Sequence, residues 1–418
     1  MPGDDFPGRL SVAPMMECTE RNYRFLARLI STRTLLYTEM VVCDDLVLKR
    51  NTADSLGEEI LLGCSKEESP LALQLGGADP ELLGKATDIA AGRCDLSEIN
   101  LNCGCPSNRV TGCLPAKQFG AVLMHKADIV KECVHEMSRR AGNVPITVKC
   151  RLGTDEVNGY ESLCDFVRTV SEGGVVKTFG IHARECVLAG LTPKENRSVP
   201  PLRPRWAHQL QRDFPHLRFV MNGQVKSIQQ ALTHLSPTLR DADADPVPAP
   251  PAYGSYEGVC TGEDGQFYGA PTEHYHWEDL PPVAGVMIGR EAWYRPWLLS
   301  DVDTRVYGER RNNGRSRRDV LDEYVDYSER MQAEYDSMGR DYLGRNFMNP
   351  LIGLFAREPG GREWRRQLDK EWVGKGILGR REPSLRDMVE AAKTVVPDAV
   401  LDEKGGEDLD IPGRRAFR

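Results

Sequence analysis

Along the first 290 residues, short aliphatic and β-branched runs alternate with longer stretches whose apolar positions recur every three or four residues. The short runs are LSVAPM (10–15), LLYTEM (35–40), LALQL (71–75), EINLN (98–102), ITVKC (146–150), FGIHAR (179–184), RFVMNG (218–223) and GVMIGR (285–290). Between them, segments such as DPELLGKATDIAAGR and ADIVKECVHEMSRR predict helices laid over a sheet. Eight such units predict an α/β fold, a (β/α)8 TIM barrel over residues 9–300. A doubly wound open sheet uses the same alternation. It usually shows GxGxxG after its first strand, where this chain has LSVAPMMEC.

Two stretches break the rhythm. An acidic, Pro/Gly-rich insertion at 236–282 separates the seventh and eighth strands, and its 241–279 portion holds nine acids and no Lys or Arg. After residue 301 the strand runs stop. RRDVLDEYVDYSERMQAEY and LGRNFMNPLIGLF predict a small C-terminal α-helical domain over 301–395. Residues 1–8 read as an N-terminal tail and 396–418 as a disordered tail.

Of the 418 residues, 40% are hydrophobic and 28% charged, and no window offers the roughly 18 uncharged apolar residues of a spanning helix. The opening MPGDDFPG lacks a basic segment followed by an apolar run, so a cytoplasmic location is expected. Twelve cysteines without a CxxC pair read as thiols in a reducing compartment. The net charge of −8 argues against a nucleic-acid partner only if it is spread evenly. It is not: residues 241–279 contribute −9, while residues 305–381 carry 17 basic residues, nearly all arginine, against 13 acids.

Barrels of this type build their active sites at the C-terminal ends of the strands. Those positions here hold Pro14, Met15 and Met16, then Gln74, Asn102 followed by Cys103-Gly104-Cys105-Pro106, Lys149 and Arg151, and His182 and Arg184. The last two strands end in Asn222-Gly223-Gln224 and Gly289-Arg290, Gly-containing turns at the two places where phosphates commonly bind. A flavin needs hydrogen-bond partners at its ring edge and a cation near N1, which Gln74, Lys149 and His182 would supply, so FMN fits. Each also has a purely structural reading, a snorkelling strand-end lysine or a satisfied histidine. Cys105 could act as nucleophile, metal ligand or proton donor. Cys103 and Cys105 point to alternate faces with no His/Cys quartet, and only His182 offers a base, so beside a flavin the attractive role is general acid.

These residues resemble the tRNA-dihydrouridine synthase family, in particular the subfamily acting on uridine 20 and 20a of the D-loop. The similarity runs from about residue 9 to about 370 and rests on LSVAPMMECTERNYR, LYTEM, ALQLGG, EINLNCGCPS, ITVKCRLG, HARECVLAGLTPKENRSVPPL, GVMIGR and LFAREPGGREWRRQL. It implies a barrel holding FMN, a helical domain that grips tRNA, and NADPH as reductant. Pro14, Met15 and Met16 would line the flavin, Gln74, Lys149 and His182 would bond its ring, and Asn222, Gly223, Gln224, Gly289 and Arg290 would hold its phosphate. Cys105 would protonate C5 of uracil as hydride reaches C6. Asn102 would bind the flipped-out base, with Arg184, Lys194 and Arg197 on the nucleotide and Arg345 on tRNA. The chain is expected to act as a monomer.

The chain departs from the family pattern in four places. Gly120-Ala121-Val122-Leu123 lacks a second thiol, VTGCLPAKQ (110–118) is longer than usual, Gln224 stands where Gly is customary, and the acidic insertion is extra. The closest rival is an FMN barrel oxidoreductase acting on a free pyrimidine, as dihydroorotate or dihydropyrimidine dehydrogenases do. A non-catalytic RNA-binding barrel is a further rival, against which the retained Cys105, Lys149 and His182 stand.

Overall fold

The computed structural model describes residues 6–52, 55–107, 110, 118–236, 280–338, 344–376 and 384–406. Eight strands close a barrel in chain order: β1 Leu10–Val12, β2 Leu35–Val42, β3 Leu71–Gly76, β4 Glu98–Cys103, β5 Ile146–Cys150, β6 Thr178–His182, β7 Arg218–Asn222 and β8 Gly285–Ile288. Every neighbouring pair is parallel, including β1 with β8, which rules out the open sheet. All eight expected runs became strands.

The side-chain alternation decides what each face does. Outward residues such as Leu73, Leu75, Ile99, Leu101, Val148, Phe179 and Phe219 are fully buried beneath the helices. Those helices are α1 Arg21–Ile30, α2 Cys43–Asn51, α3 Ser55–Leu62, α4 Pro80–Arg93, α5 Ala127–Arg140, α6 Tyr160–Ser171, α7 Pro204–Asp213 and α8 Ile228–Leu235. Inward residues divide into two halves. Ala13, Leu35, Tyr37, Ala72, Val220 and Met287, from β1, β2, β3, β7 and β8 or their ends, form an apolar cluster. Gln74, Asn100 and Thr147 stand level across β3, β4 and β5, with Asn102 and Lys149 level above them.

Beyond β8 follow α9 Arg290–Tyr294, α10 Val302–Arg305, α11 Arg317–Ser337, α12 Gly344–Met348, α13 Gly361–Gly376, α14 Leu385–Lys393 and α15 Asp398–Leu401. Ser316 caps α11, bonding Asp319 N–H while the Asp319 carboxylate returns to Ser316 N–H. This helical unit is fused to the barrel. Phe25 of α1 stacks on Tyr327 of α11 at 3.8 Å between ring centres, and Asp303 accepts from Ser31 (2.6 Å) and from Thr32 N–H (2.8 Å). Their buried apolar residues form one continuous core.

Three expectations need correcting. Residues 396–406 are not a disordered tail. Val400 and Leu401 are buried, and Glu403 pairs with Arg317 at 2.6 Å; residues 407–418 lie outside the described residues. The N-terminal tail is shorter than eight residues, because Phe6 packs against the apolar barrel cluster and Gly8 is buried. Nor are all cysteines free thiols: Cys64 and Cys94, brought together by the ends of α3 and α4, are joined as a disulfide. The insertion at 241–279 and loop residues 111–117 lie outside the described residues, and no described helix is long and apolar enough to cross a membrane.

Candidate active site

The turn after β4 is built around Asn102. Its Oδ1 accepts from the backbone N–H of Gly104 (3.0 Å) and Cys105 (2.9 Å), fixing the thiol at the barrel mouth. Its Nδ2 donates to Gln74 Oε1 at 2.8 Å, and Gln74 Nε2 donates to Asn100 Oδ1 at 2.8 Å. Asn100 Nδ2 continues to Thr147 Oγ1 (2.8 Å), Thr147 donates to Glu98 (3.0 Å), and Tyr37 donates to the same Glu98 oxygen. Arg151, only 2% exposed, braces the turn from the other side, donating to the carbonyls of Gly104 (3.0 Å), Glu185 and Asn196 (both 2.9 Å). The turn Gly120–His125 then closes on the thiol. Ala121 N–H bonds the Cys105 carbonyl at 2.9 Å, and Gly120 sits at φ +77°, where an added Cβ would meet that carbonyl at 2.6 Å. Val122 lies in this turn, so the second thiol missing there is missing beside Cys105 itself.

Cations gather round Cys105. Lys149 has no hydrogen-bond or ion-pair partner among the described residues, and its ammonium is pushed down to about 8, first by burial and then by Arg151. His182 is held well below the ordinary histidine range by burial and by Arg151, Lys149, Arg184 and Arg197, so it is neutral at pH 7. Arg197 is half-buried with an Nε that no described group satisfies. Uncompensated cations shielded from water are a cost to the fold that an anionic or carbonyl-rich ligand relieves.

That gives a test with its sign fixed. A lysine whose folded-state value lies below its ordinary 10.5 destabilises the ligand-free fold while it is charged, and this penalty lifts as pH rises through about 8. Lys149→Met should therefore raise the melting temperature of the ligand-free protein at pH 7 and weaken FMN binding by about 10- to 100-fold. In the native protein, FMN affinity should fall as pH rises above 8, with proton uptake on binding visible by calorimetry in buffers of different ionisation enthalpy.

The turns after β7 and β8 lie side by side at the mouth. Asn222 Nδ2 donates to Met287 O at 2.8 Å, tying the end of β7 to β8. Gly223 adopts φ +137° against His182 and Leu202, and a Cβ there would lie 2.8 Å from Leu202. Gly289 is open, its nearest neighbour being Met15 Sδ at 4.0 Å. Small residues, an unpaired lysine and an unsatisfied arginine at one rim fit a phosphate-bearing flavin. Gln224 adopts φ +52°, so this position does require the left-handed region. Strain there costs about 1–2 kcal/mol, and Gly carries an unfolded-state penalty of about 0.4–1 kcal/mol. Gln224→Gly should thus stabilise the protein by up to about 1 kcal/mol in thermal unfolding and raise the fraction of chains purified with flavin.

The other expected residues are divided by the fold. Pro14 and Met15 face the mouth end of β1, while Met16 is 59% exposed. Lys194 is exposed and Arg197 half-buried on the loop after β6, which wholly buried Asn196 pins through both its amide atoms to Val187. Arg184 is 3% exposed and donates to the carbonyls of Pro200 and Ser198, so it orders this loop. Arg290 and Arg345 are exposed, the latter on α12. The basic excess at 305–381 is also narrower than its count, because Arg315, Arg317 and Arg318 are closed in ion pairs with Glu323, Glu358, Glu403, Asp398 and Asp402. Among those that stay exposed, Arg362, Arg365, Arg366 and Lys370 lie together on α13, opposite buried Trp364 and Leu368. Sequence reasoning missed the polar set below Cys105, although E-x-N-x-N in β4 carried its signal: apolar residues face the helices, so the alternate polar ones face the barrel interior.

Comparison with known proteins agrees with this geometry. The profile of the family described as dihydrouridine synthase (Dus) matches residues 11–242. The tRNA-dihydrouridine(20/20a) synthase of Vibrio cholerae is 38% identical over 362 residues, covering 87% of this chain and 90% of that protein. The protein of the same name from Escherichia coli K12 is 38% identical over 368 residues, covering 87% of this chain and 86% of its own length.

Proposed function

The chain belongs to the dihydrouridine synthase family, and from that membership we propose that it reduces the C5–C6 double bond of a uridine at position 20 or 20a of the tRNA D-loop, using FMN and NADPH. The observation that carries this reading is a half-buried thiol, Cys105, locked in a turn and ringed by Lys149, His182, Arg151 and Arg197. FMN, when bound, supplies the two electrons drawn from NADPH. Lys149, Gln74 and His182 would hold its ring, and the turns at Asn222–Gln224 and Gly289–Arg290 its phosphate.

The remaining work belongs to the chain's own side chains. A uracil stacked in RNA cannot enter the barrel, so the nucleotide must be extruded into the mouth. Arg197 and Lys194 suit its phosphates, and Asn102, with a second amide hydrogen left over, suits a carbonyl oxygen of the base. Neutral His182 can hydrogen-bond without adding charge. Cys105 would donate the proton to C5, and Arg151 holds the turn that aims it. The stripe on α13 with Arg345 would grip the tRNA backbone, through contacts that weaken as salt rises.

Incubation with NADPH and unmodified tRNA should yield dihydrouridine mapping to positions 20 and 20a. Reduction of free uracil with tRNA left untouched would replace this reading by the pyrimidine dehydrogenase one, which the exposed basic stripe disfavours.

A further inference from the structure

We propose that Thr147 and Glu98, deep in the barrel, are positioning residues for Cys105, acting through a one-way chain of hydrogen bonds that fixes the amide of Asn102. The proposal rests on the reading of Cys105 as proton donor to the uridine. Its basis is a chain of donors and acceptors with no freedom of direction. Backbone N–H groups only donate, so the Asn102 atom facing Gly104 and Cys105 has to be its oxygen. Its nitrogen then faces Gln74, which must answer with Oε1 and turn its own nitrogen to Asn100. Asn100 in turn points its nitrogen at Thr147, whose hydroxyl hydrogen is left to donate. The only group able to end such a chain is a pure acceptor. Glu98 stands there, and Tyr37 also donates to it.

The two ends therefore agree, donors at the thiol turn and a carboxylate below. Gln74 and Asn100 are each 1% exposed, Thr147 3% and Glu98 5%, so water has little access to repair a broken link. If Thr147 loses its hydroxyl, the Asn100 N–H has no acceptor and its amide gains by turning. Turning sets nitrogen against nitrogen at Gln74 unless that amide turns too, and the mismatch travels to Asn102, which then loosens its hold on the N–H groups of residues 104 and 105. Glu98 is wholly enclosed chemistry that the reduction itself does not use, and this chain gives it a purpose.

The experiment uses the full-length holoenzyme in three measurements: oxidation of the NADPH-reduced enzyme by unmodified tRNA in a single turnover, reduction of the flavin by NADPH, and the rate at which iodoacetamide alkylates Cys105, read by peptide mass spectrometry. Thr147→Val should slow the tRNA step by about tenfold or more and shift Cys105 alkylation by about threefold, leaving flavin reduction within about twofold. Thr147→Ser, which restores the hydroxyl, should return both rates to near native. If Thr147→Val does not fold, Glu98→Leu removes the terminal acceptor instead, with Glu98→Gln as the control that keeps it. A valine variant with native tRNA turnover and native alkylation overturns the proposal, as does a serine variant no better than valine. A native enzyme that leaves tRNA unreduced would sink the uridine reading alone, because the alkylation rates still test the chain.

Discussion

Replacing Cys105 with alanine should leave a yellow, folded protein whose dihydrouridine formation falls by about 10²- to 10⁴-fold, the usual worth of a placed general acid. The geometry separates the thiol from the scaffold. Asn102 holds the backbone N–H groups of residues 104 and 105, which alanine retains. Gly120 packs against the Cys105 carbonyl and Cβ, which alanine also retains. Only the proton source is removed. The nearby thiols do not substitute: Cys103, Cys150 and Cys186 are fully buried, burial drives the thiols of Cys150 and Cys186 up to about 12 and about 11, and Cys103 rises well above the ordinary thiol range. Flavin absorbance and NADPH-driven flavin reduction should stay near native while the tRNA step collapses. Normal tRNA turnover in this variant would remove Cys105 from the chemistry.

Arg317→Met should lower stability by about 3–5 kcal/mol, the cost of leaving buried carboxylates without their cation. The guanidinium is 2% exposed, bonds Glu403 at 2.6 Å and Glu358 at 2.8 Å, and lies over the Trp297 ring at 4.4 Å. It joins α11, the loop before α13 and the segment after α15, which no other buried ion pair among the described residues does. Thermal unfolding should show an early transition, limited proteolysis should cut first between residues 398 and 406, and tRNA affinity should fail before flavin is lost. A shift of less than about 1 kcal/mol would mean that solvent already reaches both carboxylates.

The barrel was legible because its outward faces are apolar: Ile99 and Leu101, or Val148 and Cys150, must be covered by helices, and the run lengths follow from that. The mouth residues were legible because strand ends are where such barrels place chemistry. Other features depended on partners far away in sequence. Val400 and Leu401 sit in a polar segment that reads as tail until Arg317, 86 positions before Glu403, supplies its anchor. Arg184 and Arg197 look alike in the HAR…KENR string, yet the first is 3% exposed with its guanidinium on the Pro200 carbonyl, while the second is only half-buried. Cys64 and Cys94 meet only because α3 and α4 end together. Gln224 could be recognised as a departure, but its cost became readable only with its φ of +52°.

The fused seam between barrel and helical unit makes the enzyme a ruler. Phe25 stacked on Tyr327, Tyr23 against Trp293, and Asp303 against the Ser31–Arg33 turn pack the helical unit onto the barrel that carries Cys105. The span from grip to thiol is then set by packed rings and not by a base sequence. An RNA gripped by the arginines of α13, as proposed, would present to the barrel whichever nucleotide lies at that span, and selection of the uridine would become a matter of length along a folded tRNA.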